Sequence, residues 1–196
     1  AEVLALYNME KPKIPLTDSN FQTAVNLWFS DQANATATYG HISDWNVSAV
    51  TDMDGAFNDR SAFNENISTW DLSNVTNTRH MFKGATSFNQ PIGDWNTSTV
   101  TDMRWMFIRA SSFNQPIGSW DVSNVSNMEG MFQDAKVFNQ NLSDWNITAV
   151  SDMDNIFKSA SGMSDANKAA IHYAFKSNPN WTTDWSSYVG STPLND

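Results

Sequence analysis

The side chains able to do chemistry are mostly carboxylates. The 196 residues hold 17 Asp against 4 Glu, 3 His and no Cys. His41, His80 and His172 are too scattered to share one triad, and no nucleophile elbow, glycine-rich phosphate loop or His-Glu-x-x-His stretch occurs. Acidic pairs such as Asp52-Met53-Asp54-Gly55 and Asp152-Met153-Asp154 suggest part of a calcium loop, but the other ligand positions and the closing Glu are missing. These Asp residues are read instead as favourable charges at helix N-termini. The sequence therefore predicts no enzyme, no metal and no cofactor. A formal net charge of −10 argues against nucleic acid, which needs a basic surface to release counterions.

The elements positioning these groups are set by a repeat. Trp45, Trp70, Trp95, Trp120 and Trp145 lie 25 residues apart without insertion, and five residues after each stands Val50, Val75, Val100, Val125 or Val150. Ile42, Ile67, Ile92, Ile117 and Leu142 precede the Trp by three, and Phe57, Phe82, Phe107, Phe132 and Phe157 follow it by twelve. Trp45 and Val47 alternate as in a strand, whereas Met103, Met106, Phe107 and Ala110 follow the i, i+3, i+4, i+7 spacing of one helix face. Each unit is thus expected to be a short parallel strand, a turn, about two helical turns and a loop.

Ile42-x-x-Trp45-x-Val47-x-x-Val50 resembles the strand segment of a leucine-rich repeat, and Val100-x-x-Met103-x-x-Met106-Phe107-x-x-Ala110-x-x-Phe113 resembles the BspA-like bacterial subclass. The unit is similar to the 25- to 26-residue repeat of mycoplasma and listeria surface lipoproteins. The resemblance implies an α/β repeat solenoid with helical caps, and an extracellular or cell-surface location. The expected organisation is an arm or linker over 1–16, an N-terminal helical cap over 17–41, five repeats over 42–166, and a C-terminal helical cap and tail over 167–196. Phe21, Val25, Trp28 and Phe29 would cover the first coil, and Ser164-Asp165 would start the closing helix.

Two sets of residues are candidate binding positions. Asn46, Asp71, Asn96, Asp121 and Asn146 form a polar ladder on the outward strand face, the usual ligand face of the resembling proteins. Alternating Asp with Asn also avoids stacked like charges, which gives the ladder a structural reading ahead of the binding one. Asn64, Asn89, Asn114 and Asn139 are expected to satisfy loop amides between coils. The second set departs from the repeat. Arg79 and His80 of the second unit and Arg104, Trp105, Ile108 and Arg109 of the third form an apolar, basic patch on the helix side of an acidic chain. Trp105 is read either as an exposed contact or as packing over a neighbouring loop.

The function expected is a non-catalytic binding or adhesion module recognising protein or glycan at a cell surface, with no membrane insertion by this chain and a monomeric state. The alternative is a spacer, or a terminal piece of a longer surface protein, without a ligand of its own.

Overall fold

A computed structural model describes residues 13–190. The arm expected over 1–16 therefore lies outside the described residues up to position 12, as does the tail from 191 onward. Among the described residues three α-helices form, α1 (Phe21–Ser30), α2 (Gln32–Tyr39) and α3 (Asp165–Phe175), with 3-10 turns at Ile42–Asp44 and Ser186–Tyr188.

Between α2 and α3 the expected α/β leucine-rich-repeat-like solenoid does not form. The described residues contain no strand, only isolated parallel bridges, among them Asp52 to Asn77, Asn77 to Asp102, Asp102 to Asn127 and Asn127 to Asp152. No helix lies in this region beyond the 3-10 turn at its start. The chain instead turns about every three residues. In the third unit Trp95 N–H donates to Ile92 O, Val100 to Thr97, Met106 to Met103, Ile108 to Trp105, Ala110 to Phe107 and Phe113 to Ala110, at 2.9 to 3.3 Å. A chain bending this often cannot run straight enough to pair as a ladder.

The predicted helix fails for a second reason. Alternate amides point out of their own unit: Met103, Trp105, Phe107 and Arg109 donate to the carbonyls of Asn127, Glu129, Met131 and Gln133. An α-helix needs those N–H groups for its own i−4 carbonyls. Trp105 (φ 54°) and Arg109 (φ 60°) are also left-handed, outside the helical basin. The corresponding residues elsewhere include Gly55, His80, Gly130 and Asn155 in the first row and Asp59, Gly84, Asp134 and Ser159 in the second, all with positive φ. The Asp residues assigned to helix N-termini do a different job. Asp52, Asp102 and Asp152 accept, at 2.9 to 3.0 Å, the N–H two residues on, as do Asn77 and Asn127.

The interior follows the apolar pattern. The five repeat Trp residues and the Phe residues at 57, 82, 107 and 132 are buried, and those four Phe rings and Phe157 stack at 5.4 to 5.7 Å between centroids. The indole N–H of each later Trp donates back into the preceding unit, Trp70 to Ile42 O, Trp95 to Ile67 O, Trp120 to Ile92 O and Trp145 to Ile117 O. Asn64, Asn89, Asn114 and Asn139 form a ladder in which each Oδ1 accepts the backbone N–H 25 residues later. At one end Asp18 takes the Thr51 N–H and hydroxyl at 2.7 and 2.6 Å, and the Phe29 ring meets Phe57 and Phe63. At the other, Trp185 lies 5.1 Å from Phe157, and Ser164 caps α3 through the Asn167 N–H.

Candidate functional site

The polar ladder proposed as a strand face sits on turns. Asn46, Asp71, Asn96, Asp121 and Asn146 are each exposed, one position after a buried Trp. Each turns an Oδ1 onto the N–H two residues on, at Ser48, Ser73, Ser98, Ser123 and Thr148, at 2.9 to 3.2 Å. The Ser73 and Ser123 groups hold the Asp71 and Asp121 carboxyls below the usual aspartate range, chiefly through their side-chain hydrogen bonds. The Asn46, Asn96 and Asn146 oxygens also accept the hydroxyls of Ser48, Ser98 and Thr148, so these side chains largely serve to shape the chain.

The second set divides in two. Arg79, His80, Arg104 and Trp105 come together. The His80 and Trp105 rings stack with centroids 4.9 Å apart, and the guanidinium carbons of Arg79 and Arg104 lie 5.5 and 6.0 Å from the Trp105 ring. Trp105 also lies against Gly130, where a Cβ would meet its Cδ1 at 2.5 Å and its Nε1 at 2.8 Å. Trp105 is accordingly partly buried between units two and four. Arg109 belongs to a separate column: its Nη2 reaches 3.3 Å from Asp59 Oδ1, passing two units back over Gly84, where an added Cβ would strike the Asp59 carboxylate. Ile108 is partly buried and contributes its carbonyl to the Gly84 N–H.

The patch is less basic than its composition suggests. Arg104 grips Asp102 with Nε and Nη2, the latter at 2.7 Å, and this contact raises the guanidinium's already high pKa. His80 Nδ1 lies 3.0 Å from Asp54 Oδ1. The contributions missed in the sequence are Asp54, Asp102 and Gly130. Asp102-Met103-Arg104 carried the signal for one of them, because residues two apart on a turn share a side.

The remaining titratable groups are dispersed. His41 Nδ1 is 2.8 Å from Ser43 Oγ, and His172 Nδ1 accepts the Trp181 indole N–H. Among the described residues no three His, Cys, Asp or Glu side chains converge as a metal site would require. A groove lies against α3, lined by Ala166, Ala169, Ala170, Tyr173, Val189 and Gly190, none of which belongs to either candidate set.

Comparison with known families matches residues 23–108 and 91–181 to the family described as Mycoplasma protein of unknown function, DUF285. The chain belongs to that family. Neither the curated proteins nor the solved structures give a match. The family match supports the coarse, mycoplasma-type part of the sequence resemblance, while the strand-bearing leucine-rich-repeat part is overturned by the turn-built units. Among the described residues of this DUF285 member, no helix is long and apolar enough to cross a membrane.

Proposed function

We propose that the chain is a non-catalytic binding or adhesion module, secreted or displayed at a cell surface, that recognises a protein or glycan through an exposed side of its stacked units. One observation carries this reading. Unit three places Trp and Arg at two left-handed positions, Trp105 and Arg109. Units one and four have Gly and Asp there, and unit two has His and Gly. A left-handed L-residue costs about 1–2 kcal/mol, and such local strain collects where a side chain is kept for a purpose other than folding. Trp and Arg are also the side chains that most often dominate binding energy.

The test is a panel of immobilised host surface proteins and glycans probed with the natural chain and with Trp105→Gly. Glycine already occupies the corresponding place in units one and four, so the variant is expected to fold. Loss of a hot-spot Trp should weaken capture at least tenfold, about 1.4 kcal/mol. Equal capture by both chains would remove this patch from the binding surface, and absence of capture across the panel would favour the spacer reading.

A further inference from the structure

Arg79 and Arg104 hold corresponding places in adjacent units, but their surroundings differ by one substitution. Two residues before Arg104 stands Asp102, which its guanidinium grips; two residues before Arg79 stands Asn77. The Asn77 carboxamide is itself committed, its Oδ1 accepting the Arg79 backbone N–H and its Nδ2 donating to Asp52 Oδ1 at 2.9 Å. The alternation of Asp and Asn along this row therefore gives Arg104 a carboxylate and denies one to Arg79. Among the described residues the Arg79 side chain has no ion-pair partner, its Nε is buried without a hydrogen-bond acceptor, and its contact is with the Trp105 ring. A guanidinium has five donors in a fork that matches a carboxylate, and a buried donor without an acceptor is costly.

We propose that Arg79 is the receptor for a single carboxylate from a protein partner, with Trp105 as the adjoining apolar contact. The inference rests on the binding-module reading and specifies its ligand. The surroundings favour a protein over a glycan. Saccharide stacking needs an open indole face, whereas His80 stacks on Trp105 and Gly130 lies against its Cδ1 and Nε1 atoms. They also favour one carboxylate over a polyanion, because Asp54 and Asp102 flank the site and the whole chain carries −10.

The experiment follows the Arg79 Nε–H and Trp105 indole N–H signals by NMR in the full chain while sodium acetate is added, with sodium chloride at equal ionic strength as reference. Saturable movement of both signals with acetate and not with chloride is expected. In Asn77→Asp, which rebuilds the Asp102–Arg104 pair inside unit two, the acetate response should be lost. In Arg79→Gln, which removes the charge, the Trp105 signal should no longer respond. Equal responses to acetate and chloride, or an undiminished Trp105 response in Arg79→Gln, would overturn the assignment. Because acetate needs no partner protein, this failure is separable from that of the binding-module reading, which is judged by capture on the panel and its dependence on Trp105.

Discussion

Replacing Arg109 by Gly should stabilise the protein relative to Arg109→Ala, the reverse of the order expected at an ordinary position. The Arg109 φ of 60° costs an L-residue about 1–2 kcal/mol, and Ala keeps that cost because it keeps a Cβ. Glycine removes it while losing about 0.5–1 kcal/mol to the greater freedom of the unfolded chain. Both variants forfeit the Asp59 contact equally. That contact joins two side chains more than half exposed at 3.3 Å, a class worth about 0–1 kcal/mol. The difference between the variants therefore spans about 0–1.5 kcal/mol in favour of Gly, with a midpoint of about 0.75 kcal/mol. For a chain of this size about 1 kcal/mol moves Tm by about 2–4 °C. Thermal unfolding followed by circular dichroism at matched concentration reads this directly. The same pair at Arg104, which is not among the positive-φ residues, supplies the control, and there Ala should melt higher than Gly. A higher Tm for Ala than for Gly at 109, matching the order at 104, would refute the claim that left-handed turns define these units.

Gly84→Ala should destabilise by about 1–2 kcal/mol or more in denaturant unfolding, since φ is +67° and the new Cβ meets the Asp59 carboxylate. Asn114→Ala should cost about 1–3 kcal/mol on the same assay, because the partly buried Asn139 N–H and the Gln140 side chain both lose the Asn114 Oδ1 acceptor. Acid sensitivity has a defined sign. Asp18, held low first by the Thr51 hydroxyl, and Asp71 and Asp121, held low by Ser73 and Ser123, have folded values below the ordinary 3.8. Their contribution is complete above that ordinary value and is lost as pH falls through the depressed folded values. Asp71→Asn with Asp121→Asn, copying Asn46, Asn96 and Asn146 of the alternate units, should fold normally and flatten the acid limb of a Tm-against-pH curve.

The period, the core and the inter-unit Asn ladder were legible because each is a matter of which side chains must be buried or paired. Trp45, Val50, Phe57 and their counterparts are buried whatever local backbone carries them. The backbone itself was not legible in the apolar pattern. Apolar residues at i, i+3, i+4 and i+7 fit a helix, but they equally fit consecutive turns that close every three residues, as Met103, Met106, Phe107 and Ala110 do. The distinguishing signal was at the polar positions. Gly55, Gly130 and Asn155 in one row and Asp59, Gly84 and Asp134 in the row four residues on are the residue types that tolerate positive φ. Likewise the alternation of Trp45 and Val47 fits a strand, although Val50 N–H closes back on Val47 O and no ladder continues. At the candidate site, composition identified Arg79, His80, Arg104 and Trp105 as a group. It did not show that Asp102 already pairs with Arg104 and that Asp54 already meets the His80 ring, or that Arg109 faces Asp59 instead. Those pairings depend on side chains brought together across units.

The most direct measurement is of Tm and partner capture together on one preparation of Trp105→Gly, Arg109→Gly. If unit three keeps these residues for a partner, relief of both left-handed positions leaves Tm unchanged or raised while capture on the protein panel falls at least tenfold. Retained capture with an unchanged Tm would contradict the assignment of the site, and a Tm lower by several degrees would show that Trp105 and Arg109 serve the fold.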